Sequence, residues 1–122
     1  MILIKDNHID FAGGIEEAIG RNRDYMKRNG LRLDVIVEAR NLEDVKIILE
    51  QEGVRRILLD NFSVEETRQA VDLINRRMET ESSGGITQNN IRDYALCGVD
   101  YVSVGALTHQ IRSLDLSLKA DF

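Results

Sequence analysis

The chain has 122 residues, of which 43% are apolar and 30% charged, with a formal net charge of −5 at pH 7. This length suits one folded domain, and the acidic balance argues against a general nucleic-acid binder, which usually presents a basic face. The chain has no run of about 20 apolar residues for a membrane span, no signal-peptide pattern and a single cysteine, Cys97, interpreted as a buried helix residue, so we expect a reducing, cytoplasmic environment.

Short apolar runs alternate along the chain with longer amphipathic segments. We predict strands at residues 2–5, 33–39, 56–60, 78–82 and 101–105. The runs ILI, VIV, ILL and YVSV are nearly continuous, as in strands buried on both faces, whereas the fourth segment is polar. We predict helices at residues 14–29, 42–52, 64–77 and 88–97, where apolar residues recur at helical spacing.

Capping residues mark the ends of the predicted helices. Ser63 and Glu66 have the spacing of a capping box, and Asn41 and Thr87 are suitable N-caps. Three helices are followed by a glycine suited to the left-handed conformation, namely Gly30, Gly53 and Gly98. The resulting alternation of strand and helix predicts an α/β fold with parallel strands. These residues alone leave two architectures open, a doubly wound sheet or part of a (β/α) barrel.

Polar residues and glycines recur where the predicted strands end. They are Lys5, Glu38, Asp60, Ser83 and Gly105. The last four follow one another at intervals of 22, 23 and 22 residues, close to the length of one strand plus one helix. Because the carboxyl ends of parallel strands face the same side, we expect these residues to meet at one rim, where such folds bind ligands.

Each of these positions also has a purely structural interpretation. Glu38 would form an ordinary ion pair with Arg40, and Asp60 with Asn61 would form a turn and a cap. Residues 6–8 (Asp-Asn-His) would serve as turn and capping residues, and the SSGG segment would be a tight turn. Their recurrence at successive strand ends favours a shared ligand site over these separate interpretations.

The residue types at the rim suit one class of ligand. A lysine supplies positive charge for an anion, and two carboxylates on neighbouring strands can hold a divalent cation or grip sugar hydroxyls. A glycine pair before a helix offers backbone N–H groups to a phosphate. Together these groups predict a phosphorylated sugar with magnesium. The sequence contains no Walker phosphate loop, Rossmann fingerprint or zinc motif.

Five segments, ILIKDNHI, VEARN, ILLDNFS, ESSGGI and VSVGALTH, occur in this order. With them the chain resembles the C-terminal part of the quinolinate phosphoribosyltransferase family. The resemblance implies that residues 1–122 are the C-terminal portion of an α/β barrel domain, incomplete at its N-terminal side. It also implies phosphoribosyl transfer from phosphoribosyl pyrophosphate to quinolinate, with decarboxylation. The products are nicotinate mononucleotide for NAD synthesis, CO2 and pyrophosphate, and Mg²⁺ is required.

The resemblance also implies roles for residues of this chain. Lys5 would reach anionic groups of the substrates, and Glu38 and Asp60 would meet the ribose hydroxyls and Mg²⁺, with these three as the catalytic residues. The backbone cradle of the 5′-phosphate would consist of Ser83, Gly84, Gly85 and Gly105, with His109 nearby.

The chain departs from the family in what it lacks. Full-length members are more than twice as long and begin with an α/β sandwich domain and the first barrel strands. The resemblance implies that those parts bind the quinolinate carboxylates, and their motifs do not appear in this sequence. We therefore expect the chain to be inactive alone, with a homodimer or higher oligomer in the full-length enzyme, or an N-terminal partner chain, completing the site. Two alternatives stay open, a non-catalytic half-barrel that serves binding or assembly and the related enzyme of molybdenum utilisation.

Overall fold

A computed structural model describes residues 1–108, so His109 lies outside the described part of the chain. The strands are β1 (Ile2–Ile4), β2 (Val35–Ala39), β3 (Arg56–Asp60), β4 (Glu79–Ser83) and β5 (Tyr101–Val102). The helices are α1 (Asp6–Ala12), α2 (Ile15–Arg28), α3 (Leu42–Leu49), α4 (Val64–Ile74) and α5 (Ile91–Ala95), followed by a 3-10 turn at Gly105–Leu107. None of the helices within residues 1–108 has the length and apolar character needed to cross a bilayer.

The five strands form one sheet in the order β1-β2-β3-β4-β5, and every neighbouring pair is parallel. A doubly wound sheet reverses its strand order at a switch point, whereas a barrel adds each strand beside the previous one. The observed order never reverses and is therefore of the barrel type. The prediction of parallel β/α units forming part of a barrel is confirmed.

The sheet has a mainly apolar outer face and a mixed inner face, because successive side chains of a strand point to opposite sides. On the outer face, Val37, Ile57 and Leu59 have no exposed surface and belong to one core with Val45 of α3 and Ile74 of α4. The alternate residues form the inner face, and those on the three central strands are Ile36, Glu38, Arg56, Leu58, Asp60, Glu79, Glu81 and Ser83. Because the outer face packs on the helices, the charged side chains of these strands lie on the inner face.

Several predicted caps are confirmed. The Asn41 Oδ1 atom accepts a 2.9 Å hydrogen bond from the amide of Asp44 at the start of α3. At the start of α4, Ser63 Oγ accepts from the amide of Glu66 at 3.2 Å, and the Glu66 carboxylate accepts from the amide of Ser63 at 2.9 Å. The glycines predicted after three helices have φ of 62°, 83° and 87°, which are left-handed values: Gly30, Gly53 and Gly98.

Helix α1 was not among the predicted helices. Interpreting residues 6–8 as a turn was wrong, whereas their role in capping is confirmed for His8, which accepts from the amide of the N-cap Lys5. These residues form its first turn instead. The helix is held by the buried side chain of Ile9, by a 3.1 Å hydrogen bond from the Lys5 amide to His8 Nδ1, and by Gly13 at φ 97°. Polar residues at the start of a segment and a glycine after its end indicate a helix. The apolar pattern between them was too short for the helix to be recognised.

The remaining differences lie at element ends. Helix α4 ends at Ile74, not at residue 77, because Asn75 and Arg76 adopt left-handed φ values of 45° and 59°. Asn90, not Thr87, precedes α5, since the Thr87 amide donates to Asn90 Oδ1 at 2.7 Å in a preceding turn. The fifth strand stops at residue 102, because only its first two residues pair with β4.

Candidate functional site

The residues expected at the strand ends lie at one edge of the sheet. Lys5 follows β1, Glu38 is the fourth residue of β2, and Asp60 and Ser83 end β3 and β4. Asp60 and Ser83 are directly paired in the register of the two strands. Gly105 begins the turn that follows β5. Because all five strands are parallel, these positions share the carboxyl edge of the sheet, which we call the rim.

Glu38 is a buried carboxylate with only 4% of its surface exposed. Its Oε1 atom accepts a hydrogen bond of 3.2 Å from the amide of Asp6, the first residue of α1. Burial raises the pKa of Glu38, and the negative charge of Asp60 raises it further, while the Asp6 amide and the Lys5 charge oppose this shift. Lys5 and Asp60 therefore each lie close enough to Glu38 to act on its charge.

Arg40 is not the partner of Glu38 that the structural interpretation proposed. Its Nη1 atom lies 2.9 Å from Asp10 Oδ1, and its Nε lies 3.5 Å from Asp44 Oδ2. These contacts join Arg40 to α1 and to the first turn of α3. The interpretation of Glu38 as half of an ordinary pair with Arg40 is wrong, and the Glu38 carboxylate faces the rim.

Asp60 and Asn61 form a turn after β3, as the structural interpretation expected, but the expected cap is wrong because Ser63 is the N-cap of α4. Asn61 has φ 56°, and its Nδ2 atom donates to Asp60 Oδ2 at 2.8 Å. The Asn61 amide donates to the carbonyl of Ser83 at 2.9 Å, which joins this turn to the end of β4. The turn therefore holds the Asp60 carboxylate beside the glycine segment.

The two glycines after β4 have different structural requirements. Gly84 has φ 83°, and a Cβ atom there would lie 2.9 Å from the backbone nitrogen of Asn61. Gly85 has φ 63°, and a Cβ atom there would meet nothing within 4 Å. Within residues 1–108 neither amide donates a hydrogen bond, and Asn90 Nδ2 holds the Gly85 carbonyl at 3.1 Å. Packing against Asn61 explains why residue 84 is a glycine. Gly85 has no such neighbour, so open space remains beside the amides of Gly84 and Gly85, which have no acceptor within residues 1–108.

The rim offers two carboxylates to a cation. Among the residues that the structure describes, no group of three or more histidine, cysteine or acidic side chains is arranged to hold a metal ion. Magnesium is commonly bound by one or two carboxylates, with water and substrate phosphates completing its coordination. Glu38 and Asp60 fit that donor set, because they are two carboxylates at the same rim and the Asp60 charge reaches Glu38.

Two residues that support this site were predicted only as local turn or capping residues and not as part of the site. Asn61 joins the turn after β3 to β4, and Asp6 supplies the amide that binds Glu38. The Asp-Asn pair at a strand end was a usable signal, because asparagine tolerates left-handed conformation. The Asp6 contact had no signal, since it depends on the unpredicted helix α1.

Cys97, interpreted from the sequence as a buried helix residue, is indeed buried, just after the end of α5.

A parallel sheet with strands in chain order, helices on its outer face and polar groups at its rim defines this chain as part of a (β/α) barrel with a rim site. The sequence model of the family described as "Quinolinate phosphoribosyl transferase, C-terminal domain" matches residues 1–119. The chain belongs to this family.

Relatives and solved structures agree with that assignment. The chain is 43% identical over 135 aligned positions to the chloroplastic nicotinate-nucleotide pyrophosphorylase [carboxylating] of Arabidopsis thaliana, covering 99% of this chain and 39% of the relative. The crystal structure of nicotinate-nucleotide pyrophosphorylase from Ehrlichia chaffeensis superimposes with a TM-score of 0.80 and 41% identity, covering 88% of this chain and 37% of that one. The corresponding structure from Francisella tularensis gives a TM-score of 0.81 and 37% identity, covering 95% and 40%. The chain thus spans about two fifths of the length of these relatives.

Proposed function

We propose that this chain carries the phosphoribosyl half of the active site of a quinolinate phosphoribosyltransferase. The observation that supports this most directly is the carboxylate pair Glu38 and Asp60 beside a glycine turn with free amides. The reaction joins the quinolinate nitrogen to C1′ of phosphoribosyl pyrophosphate. The relatives reported above are named for the nicotinate-nucleotide reaction, which favours a quinolinate acceptor over that of the molybdenum-utilisation enzyme.

The 5′-phosphate would bind at the end of β4. The amides of Gly84 and Gly85 are available as donors, and Gly85 has no side chain to occupy the adjoining space. Ser83, which ends β4, and Gly105, which begins the turn after β5, would contribute to the same cradle. We also propose that His109 lies near this phosphate.

The two carboxylates would act on the ribose. As the C1′–oxygen bond breaks, its electron pair leaves with pyrophosphate, and positive charge develops on the ribose ring. Fixed carboxylates of Glu38 and Asp60 facing that ring stabilise this charge, and such preorganised electrostatics is commonly the largest catalytic contribution. Lys5 would hold anionic groups of the substrates. The quinolinate nitrogen forms the new bond to C1′. The 2-carboxylate then leaves as CO2, and the electron pair that remains on ring carbon C2 takes up a proton from solvent.

We further propose that Glu38 and Asp60 hold Mg²⁺, directly or through water. When bound, Mg²⁺ would neutralise charge on the pyrophosphate leaving group. The carboxylates themselves would orient the ribose hydroxyls.

Titration calorimetry with phosphoribosyl pyrophosphate and MgCl2 tests this function. We expect the chain to bind the donor and Asp60→Ala to weaken that binding by at least about tenfold, since a charged contact contributes about 1.5–3 kcal/mol. Asp72→Ala is the matched control, because Asp72 is an exposed acid on α4 away from the rim. Unchanged binding by Asp60→Ala would remove Asp60 from the site. We expect no full turnover of quinolinate by the chain alone, and full turnover would contradict the half-site proposal.

A second candidate function is assembly through the exposed edge of the sheet. Strand β1 lies at one end of the sheet, and Leu3, Phe11 and Tyr25 near it are 37%, 65% and 53% exposed. They line an apolar groove of about 610 Å³, and an uncovered strand edge is a pairing surface. We propose that this edge is covered in a homodimer or higher oligomer, or by an N-terminal partner chain. Light scattering after size exclusion would separate these states, and a stable oligomer without donor affinity would favour assembly over catalysis.

We propose a cytoplasmic location as well. The relatives differ in this respect, since plant relatives are named as chloroplastic or mitochondrial enzymes. Fractionation of cells that express the tagged protein would test the location, and recovery with an organelle would contradict it.

A further inference from the structure

Arg56 forms a charged cluster on the inner face, at the opposite end of β3 from Asp60. Only 14% of its side chain is exposed. Its Nη1 atom lies 2.8 Å from Glu81 Oε2, and its Nη2 lies 3.0 Å from Glu79 Oε2. Its guanidinium carbon also stands 3.6 Å from the centroid of the Tyr101 ring on β5. One arginine thus joins three neighbouring strands.

The cluster extends from the middle of the sheet to the segment before Gly105. Glu81 holds Arg56 with one carboxylate oxygen and accepts a hydrogen bond from Ser103 Oγ with the other, at 2.5 Å. The Ser103 amide donates to the carbonyl of Ser82 at 2.9 Å. Regular pairing of β5 with β4 ends at Val102, so these two bonds fix the backbone immediately before the turn at Gly105.

We propose that Arg56 is a positioning residue for the phosphate cradle and acts through Glu81 and Ser103. This inference rests on the proposed function. Arg56 lies at the amino end of its strand and touches none of the cradle residues. Its planar fork can meet two carboxylates at once, which a lysine cannot do. Without Arg56, Glu81 would be a largely buried charge lacking its partner, and it would turn towards solvent and release Ser103.

If Arg56 only stabilised the sheet, replacing it would lower the free energy of unfolding but leave the ligand affinity of the folded chain unchanged. The test therefore measures both quantities. The probe is ribose 5-phosphate, which carries the 5′-phosphate without pyrophosphate. We expect Arg56→Met to bind it about tenfold more weakly, the usual size of an effect transmitted through a contact network. Arg56→Lys should recover part of the affinity. The control is Arg55→Met, because Arg55 shares Glu79, is 55% exposed and pairs with Asp34 rather than Glu81.

Ser103→Ala tests whether Arg56 acts on the phosphate cradle through Ser103. It removes one exposed hydroxyl and leaves the core intact, so it keeps the test valid if Arg56→Met folds poorly. If Arg56 acts through Ser103, the double variant should bind no more weakly than the weaker single variant, because effects along one route do not add. Additive losses, or wild-type affinity in Arg56→Met, would overturn the inference and leave the proposed function standing. Failure of the wild-type chain to bind either ribose 5-phosphate or phosphoribosyl pyrophosphate would instead overturn the proposed function and the inference with it.

Discussion

Replacing each glycine of the turn after β4 separates the strain of its backbone from the space that its neighbours leave. Both positions have positive φ, 83° at Gly84 and 63° at Gly85. A side chain in that region costs about 1–2 kcal/mol. Alanine at Gly84 would in addition bring Cβ to 2.9 Å from the Asn61 backbone nitrogen, and relieving such an overlap costs about 1–3 kcal/mol more. We therefore expect losses of about 1–2 kcal/mol for Gly85→Ala and about 2–5 kcal/mol for Gly84→Ala.

Equilibrium urea unfolding followed by circular dichroism measures both losses. With a slope of about 2 kcal/mol per M of urea, the midpoint of Gly84→Ala should lie about 1 M below that of Gly85→Ala. The matched control is Gly53→Ala, which also has φ 83° and has nothing within 4 Å of its Cβ position. It should resemble Gly85→Ala. Equal midpoints for all three variants would show that contact with Asn61 does not constrain Gly84, and would refute the close approach of the two turns.

Three further predictions concern the framework of the site. Ser63→Ala should lower the free energy of unfolding by about 1 kcal/mol at pH 7 because it removes the N-cap of α4. Hydrogen bonds from Ser63 lower the pKa of Glu66 below its usual 4.5. This stabilisation is present above pH 4.5 and is lost as the pH falls through the lowered value, so urea titrations should show a smaller difference at pH 3, and a constant difference would contradict the cap. Burial raises the pKa of the Cys97 thiol, so iodoacetamide at pH 8 should label the native chain much more slowly than the urea-unfolded chain, and equal rates would contradict this burial. Leu59→Ala should cost about 2–5 kcal/mol in urea unfolding because Leu59 is fully buried, and a loss below about 1 kcal/mol would contradict its place in the core.

The apolar framework was readable from the sequence because it depends on local patterns. The run ILL, with its flanking residues, predicted β3 with both ends correct, and Ser63 and Asn41 identified the starts of two helices. Helix α1 was missed because seven residues give too short a periodic pattern, and its stability comes from burying Ile9 in the core. The length of β5 was overestimated because pairing depends on β4 and not on the local run YVSV.

The site was partly predictable for the same physical reason. The rim positions followed from the spacing of one strand and one helix, which holds for any parallel β/α repeat. The contacts of Arg56 and Ser103 with Glu81 could not be predicted this way, because they cross strands separated by 25 and 22 residues. Such pairs depend on the register between strands. Register places Glu81 opposite Leu58 and Tyr101, and it is fixed by packing of the whole sheet.

The electrostatics of Glu38 connect the fold to the chemistry proposed for the rim. Burial and the neighbouring Asp60 charge both destabilise the Glu38 carboxylate and raise its pKa. An approaching positive charge stabilises such a buried carboxylate more than an exposed one, because water screens the buried charge less. The amide of Asp6 keeps its oxygen oriented before any ligand arrives. The same burial that costs stability therefore prepares Glu38 to stabilise a ribose ring that becomes positive as pyrophosphate leaves.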